Sequence, residues 1–207
     1  IDLKEPQNNN VSKTILVADV ADYSPLNVDP NLVNAWGLAF SDEGEAWVSA
    51  ADKGVATIYD GNGVQLDPPV NIPFEGDPNG GAPTGAMYNA TESSFFITAA
   101  NEKSEFIYAT ENGTIVAAAS GNAYTVADRS SFDAVYKGLA IAKNGNSFFL
   151  YATDFHNGRI DVWNDQFALQ NNFAFTDADI PAGFAPFNIR EIDGRLYVTY
   201  AKQLGPD

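Results

Sequence analysis

Asp154 and His156 are the residues of this chain whose types and spacing best suit metal chemistry. They stand two positions apart in 151-YATDFHNGRIDVWND-165, and His156 is the only histidine. Alternate residues of a β-strand share a face, so a carboxylate oxygen and an imidazole nitrogen could point at one cation. Two ligands do not make a site, and Asn157-Gly158 is a strong signal for a hairpin turn. We therefore favour a hairpin, with Asp154 bound to turn amides and His156 near the loop tip, and keep the pair as a candidate metal site.

A second oxygen-rich segment, Asp60-Gly61-Asn62-Gly63, partly matches a calcium loop. Asp and Asn two positions apart can both supply oxygen ligands, but the third oxygen residue and the distant Glu of an EF-hand are missing. The composition Asp-Gly-Asn-Gly is also typical of a hairpin turn, which we predict here. The sequence alone implies no cofactor; calcium, or a transition metal at the channel mouth, is the candidate for a metal-dependent function.

Composition excludes several classes of function. The chain has 207 residues and a formal charge of -16, with 11 Lys and Arg residues against 27 Asp and Glu residues, so nucleic acid and anionic membranes would be repelled. It has no cysteine, which excludes disulfides, thiolate zinc sites and cysteine nucleophiles. No apolar run reaches the roughly 20 residues that cross a bilayer, and no Gly-x-Ser-x-Gly motif supports a serine hydrolase.

The elements that would position these residues are repeated strands. Four segments begin alike and recur about every 50 residues: 35-AWGLAFS-41, 83-PTGAMYN-89, 136-YKGLAIA-142 and 185-APFNIRE-191. Gly37, Gly85 and Gly138 are taken as equivalent, with Phe187 at the same point of the fourth repeat. A second apolar run follows each start, at 46–50, 95–99, 148–154 and 195–201, and a third follows at 54–60, 105–111 and 158–164. This pattern predicts an all-β protein, a β-propeller of four-stranded blades with about three and a half blades present.

The repeats predict how the chain is divided. Residues 1–30 form a tail, one strand from Thr14 to Val20 and a connector, and residues 31–207 form a partial propeller with blades starting near positions 35, 83, 136 and 185. Half a ring leaves apolar blade faces in water at both ends. We therefore expect that a longer chain, another chain or another copy completes the ring.

Three polar residues fall on innermost strands, which line the central channel of a propeller. Lys137 directly precedes Gly138, and Asn34 and Asn188 occupy neighbouring positions on their own repeats. Lys137 could bind an anionic ligand or pair with a carboxylate such as Asp154. Together with Asp154 and His156, these three form the predicted ligand-binding cluster at the channel mouth, whereas Trp36, Trp47 and Trp163 are predicted to pack inside blades.

Several long motifs resemble a known family, the uncharacterised secreted bacterial β-propellers of the NHL and YVTN type, some with a carboxy-terminal sorting tail. The resembling motifs include 31-NLVNAWGLAF-40, 83-PTGAMYN-89, 151-YATDFHNGRIDVW-163, 181-PAGFAPFNI-189 and 196-LYVTYAKQ-203. The resemblance implies a six-bladed propeller about twice this length, of which this chain is the amino-terminal half. It implies no catalytic residues.

Two functions fit these observations. The first is an exported, non-catalytic binding or structural module that presents loops to a protein, a glycan or a second copy of itself. The second is a metal-dependent, lactonase-like hydrolase with a cation at the channel mouth. The start at Ile1 is consistent with removal of a signal peptide, so we expect a secreted or cell-surface protein.

Overall fold

The computed structural model describes residues 12–205, so the first part of the predicted tail, residues 1–11, lies outside the described residues, as do residues 206–207. Three four-stranded antiparallel sheets and one two-stranded sheet follow one another along the chain. Blade 1 contains β3 (Ala35–Phe40), β4 (Ala46–Ala50), β5 (Val55–Tyr59) and β6 (Val70–Asn71), and blade 2 contains β7 (Pro83–Tyr88), β10 (Phe106–Thr110), β11 (Thr114–Ala119) and β12 (Asn122–Asp128). Blade 3 contains β13 (Tyr136–Asn144), β14 (Ser147–Asp154), β15 (Arg159–Asn164) and β16 (Leu169–Gln170). Blade 4 contains β17 (Phe184–Ile192) and β18 (Arg195–Lys202).

Four short strands lie outside the blades. β1 (Val17–Ala18) and β2 (Asn27–Val28) form a parallel pair, and β8 (Phe96–Ile97) and β9 (Glu102–Lys103) form a small hairpin. Three 3-10 turns occupy Ala21–Tyr23, Ala51–Lys53 and Ser130–Phe132. Within residues 12–205, no helix is long and apolar enough to span a bilayer.

The predicted fold class is confirmed: the protein is all-β, with three complete four-stranded blades and part of a fourth. The innermost strands β3, β7, β13 and β17 lie side by side in chain order. One apolar cluster fills each junction between blades. Trp47 stacks on Phe106 between blades 1 and 2 with ring centroids 4.1 Å apart, and Trp163 meets Tyr136 edge-on at 5.7 Å in blade 3.

Two strand predictions are wrong. The run 95–99 is not the second strand of blade 2, because that place belongs to β10 (Phe106–Thr110), which pairs with β7. The run belongs instead to an insertion closed at its base by Asn89, whose side-chain amide donates to the carbonyls of Ser94 and Ser104 at 3.0 Å each. The strand predicted from Thr14 to Val20 is also shorter than expected and covers only Val17–Ala18.

Every innermost strand carries an irregularity at the same place. The register shifts between Ala35 and Leu38 in blade 1, between Tyr136 and Leu139 in blade 3, and between Pro186 and Asn188 in blade 4, and it shifts opposite the same part of β7 in blade 2. A β-bulge places one extra residue in a strand and re-aims the side chains there. The register aligns Asn188, rather than Phe187, with Gly138, so the predicted alignment of the fourth repeat was wrong by one residue.

Candidate functional site

The bulges line a concave groove that runs along the axis of the propeller. We call it the axial groove. Its cavity has a volume of about 230 Å³, and the residues that line it include Trp36, Thr84, Lys137, Phe187, Asn188 and Arg190. The first four of these residues occupy equivalent bulge positions, one in each blade. The repeated strand therefore delivers one side chain per blade to the axis, and the four side chains differ in chemistry.

Two aromatic rings and one ammonium group meet in the axial groove. The ring centroids of Trp36 in blade 1 and Phe187 in blade 4 are 6.0 Å apart, and the Lys137 ammonium lies 5.2 Å from the Trp36 ring. A cation at this distance over an indole gains a favourable interaction with the ring electrons. The groove thus combines flat apolar surface with positive charge.

Lys137 pairs with a different carboxylate from the one predicted. Its ammonium donates to Glu111, on the turn between β10 and β11, and not to Asp154. The reason is the bulge, which turns the side chain away from β14 towards the preceding blade. The Lys137 side chain is nearly buried, whereas the Glu111 side chain is about one third exposed. The pair therefore neutralises the Lys137 ammonium, and Glu111 itself does not line the groove.

Asn34 touches the axial groove through Trp36. Its side-chain oxygen accepts a hydrogen bond from the Trp36 indole nitrogen at 3.1 Å, and its amide nitrogen donates to Asp52 at 2.9 Å. Both polar atoms of the Asn34 side chain are used in holding Trp36. Asn34 is therefore a positioning residue, while Lys137 and Asn188 face the cavity directly.

Three glycines allow the innermost strands to approach one another. A Cβ atom on Gly37 would lie 2.3 Å from the carbonyl oxygen of Thr84, and one on Gly85 would lie 2.8 Å from the backbone nitrogen of Leu139. On Gly138 it would lie 2.7 Å from the Cα of Asn188. These separations are far inside van der Waals contact with backbone, so the junctions require glycine. Blade 4 has Asn188 at this position, which leaves an amide side chain on the groove.

The structure separates Asp154 from His156. Asp154 is fully buried at the end of β14, where its carboxylate accepts hydrogen bonds from the backbone N–H groups of Val135 and Asn157 at 3.2 Å and from the Asn157 amide at 2.8 Å. His156 lies beyond the strand, in the turn, and is exposed. The strand alternation that would align the two side chains therefore ends before His156. His156 instead borders a polar pocket that also contains Glu111.

In the predicted turn at 60–63, the Asp60 carboxylate is also engaged with backbone N–H groups. The Asp60 carboxylate accepts the N–H groups of Asn62 and Val64 at 2.8 Å each, and these bonds, that of Val64 first, lower the pKa of Asp60. Nowhere in residues 12–205 do three His, Asp or Glu side chains converge in a way that could hold a metal ion. The metal role of Asp154 and His156 stays a prediction.

A buried polar network lies beside Asp154. Arg159 contacts Asp154 at 3.4 Å and Asp161 at 3.0 Å, and the Tyr136 hydroxyl donates to Asp161 at 2.7 Å. Burial, reinforced by the negative charge of Asp161, raises the pKa of Tyr136 well above its usual value. The Tyr136–Asp161 hydrogen bond ties the start of β13, the strand that carries Lys137, to β15.

The raised pKa of Tyr136 predicts that the protein loses stability at alkaline pH. An unfolded tyrosine ionises near pH 10, whereas folded Tyr136 keeps its proton to higher pH. Its contribution is complete below about pH 10 and is lost above it, because the unfolded state then binds fewer protons. We expect the free energy of unfolding to fall by up to about 1.4 kcal/mol per pH unit from this residue. Guanidinium unfolding at several pH values between about 8 and 11 measures this free energy. In the Tyr136→Phe variant it should fall less steeply with pH.

Only part of the axial groove is predictable from the sequence. Lys137 and Asn188 were predicted and line the cavity; Trp36, Phe187 and Arg190 were not predicted. Trp36 was expected inside a blade but is 38% exposed, whereas Trp47 is 6% and Trp163 is 1% exposed. The available signal was positional, since Trp36 and Lys137 both directly precede the repeated glycine.

Comparison with solved structures identifies the architecture. Streptogramin B lyase matches with a TM-score of 0.55 and 13% identity over 82% of this chain and 49% of that one. A catalytically inactive virginiamycin B lyase from Staphylococcus aureus, solved with quinupristin, matches with a TM-score of 0.57 and 14% identity over 83% and 51% of the two chains. The fold is a β-propeller. At these identities the likeness concerns the fold alone.

The chain is similar in sequence to proteins of a virus. Uncharacterised proteins R640 and R648 of Acanthamoeba polyphaga mimivirus are 37% identical over 131 residues and 27% identical over 192 residues. These matches cover 58% and 86% of this chain but only 24% and 46% of the relatives, so the chain spans half or less of their length. No family model matches the chain. A propeller-type family is supported, and the secreted bacterial type stays a prediction.

Proposed function

We propose that this protein is a non-catalytic binding propeller that holds its ligand in the axial groove. The observation that carries the proposal is that three of the four equivalent bulge positions present Trp36, Lys137 and Phe187 to one cavity. At the fourth position, Thr84 is buried and its hydroxyl donates to the backbone carbonyls of Ala109 and Tyr136. A purely structural repeat has no need to vary these residues, whereas a binding cavity combines apolar surface with a few placed polar groups. The variation therefore favours recognition over simple blade packing.

The two aromatic rings would provide most of the binding energy. Trp36 and Phe187 come from opposite ends of the described ring segment and face each other at 6.0 Å, a separation at which their rings also interact. Trp36 is held in place by Asn34 at 3.1 Å, so little ordering is required when a ligand binds. A flat apolar group fits this arrangement best.

We further propose that the binding occurs outside the cell, on a partner such as a protein, a glycan or a second copy of the chain. The acidic composition, with 27 Asp and Glu residues, suits a soluble extracellular surface. The side chains of the groove would then contact a flat group displayed by that partner.

Binding of the neutral dye N-phenyl-1-naphthylamine tests the groove itself. We expect saturable fluorescence enhancement, and Trp36→Ala should weaken dye affinity at least about tenfold, because an aromatic anchor contributes about 1.4 kcal/mol or more. Phe40→Ala is the matched control: Phe40 is also an exposed aromatic residue of β3, 57% exposed, but does not line the groove. Equal weakening by both substitutions, or by neither, would contradict the proposal.

A further inference from the structure

The axial groove has the opposite charge from the protein as a whole. The chain carries a formal charge of -16, yet the described residues that line the groove include two cations and no carboxylate. The cations are Arg190 and Lys137, of which Lys137 pairs with Glu111 outside the lining. A chance selection of side chains from this acidic protein would bring more acidic than basic groups to any cavity. The local positive charge therefore needs an explanation beyond general surface polarity.

Arg190 provides the part of this charge that is free to act on a ligand. Within residues 12–205 its guanidinium forms no ion pair, and its Nη1 lies 3.7 Å from the sulfur of Met87. A guanidinium is planar, always charged and able to donate two parallel hydrogen bonds to a carboxylate or phosphate. Arg190 is thus an unneutralised anion-binding group in an otherwise acidic molecule.

Asn188 presents a further donor next to Arg190. Its side-chain oxygen accepts the backbone N–H of Ile189 at 2.8 Å, which leaves the amide nitrogen without a partner among the described residues. Beyond the bulge the register of β17 is regular, so Asn188 and Arg190 lie on one face of the strand, about 6.5 Å apart. An oxygen-bearing head group of a few ångströms can accept from both.

Lys137 would act more weakly. Its ammonium already pairs with Glu111 and lies over the Trp36 ring, so it would bind an anion only by exchanging partners with the partly exposed Glu111. The groove therefore has a strong anion-binding end at Arg190 and a neutralised end at Lys137. The Trp36 and Phe187 rings line the same cavity.

We infer that the axial groove selects a ligand with an anionic oxygen head group joined to a flat apolar body. The head group would bind Arg190 and the Asn188 amide, and the body would lie against Trp36 and Phe187. This inference rests on the proposed binding role of the groove and adds its ligand class. Carboxylates and phosphate esters share the required chemistry.

Quenching of tryptophan fluorescence measures the charge of the groove. Trp47 and Trp163 are buried, so collisional quenching reports on Trp36. Each quenching constant is divided by that of the same ion acting on free N-acetyltryptophanamide, because caesium is intrinsically the weaker quencher. At low ionic strength we expect this normalised constant to be at least about twice as large for iodide as for caesium, although the net charge favours the cation. Arg190→Gln should lower the iodide constant about twofold and leave quenching by neutral acrylamide unchanged. Arg195→Gln, an exposed arginine of β18 that does not line the groove, should change neither.

Small aromatic probes then test the ligand class. Benzoate or phenyl phosphate should displace the neutral dye at least about tenfold more effectively than benzamide, and Arg190→Gln should remove this difference. Preference for benzoate identifies a carboxylate ligand, and preference for phenyl phosphate identifies a phosphate ester. A normalised quenching constant for caesium that equals or exceeds that for iodide, or equal displacement by benzamide, would overturn the inference. Dye binding that depends on Trp36 would survive that result, so the two proposals fail separately.

Discussion

Gly37→Ala should lower the free energy of unfolding by at least about 3 kcal/mol. The new methyl group would lie 2.3 Å from the carbonyl oxygen of Thr84 and 2.6 Å from the backbone nitrogen of Ala86. Both atoms belong to β7, whose hydrogen bonds to β10 prevent it from moving away. Relief of the clash therefore requires blades 1 and 2 to separate at the axis. That separation would open the apolar cluster in which Trp47 stacks on Phe106.

Denaturant unfolding compares this variant with a matched control. Gly61→Ala introduces the same methyl group in a turn of the same blade, where no atom lies within 4 Å of the new Cβ. We expect the control to differ from the unsubstituted protein by no more than about 0.5 kcal/mol. If Gly37→Ala unfolds at the same denaturant concentration as Gly61→Ala, the innermost strands are not in close contact, and the axial groove is wider than described.

The same glycine contact shows how far sequence alone predicts this fold. The spacing of Gly37, Gly85 and Gly138 gave the blade period, because the backbone contact at the axis recurs once per blade. The spacing did not show that the 95–99 run belongs to an insertion. A short apolar hairpin has the same composition as a blade strand, and only its pairing with Glu102–Lys103 distinguishes them.

Prediction of the site failed where the chain departs from regular strand geometry. The place of Trp36 within a repeated strand predicts packing inside a blade, but the bulge beside Gly37 turns the indole to the axis, where it contacts Phe187. Alternation pairs Asp154 with His156, although the strand ends between them. Bulges and strand ends break the period-two rule, and both features depend on pairing partners far away in the sequence.

Asp154→Ala should lower the free energy of unfolding by about 3 kcal/mol. The substitution removes the acceptor of the partly buried hydrogen bonds from the N–H groups of Val135 and Asn157 and releases the amide of Asn157 from the turn. Arg159 would not be stranded, because it is partly exposed and keeps Asp161 at 3.0 Å. The loss therefore comes from the turn between β14 and β15 and from the connection into β13, the strand that carries Lys137.

His156→Ala provides the contrast that separates a structural Asp154 from a metal ligand. His156 is exposed, and the hydrogen bond recorded for it uses its backbone carbonyl, which accepts from Gln203 at 3.1 Å. Its substitution should cost no more than about 0.5 kcal/mol, and a chelator should not shift the unfolding midpoint of the unsubstituted protein. A shared metal would give the opposite pattern, because a bound ion stabilises the folded state in proportion to its occupancy. Both substitutions and the chelator would then lower the midpoint together, and Asp154 would be a ligand after all.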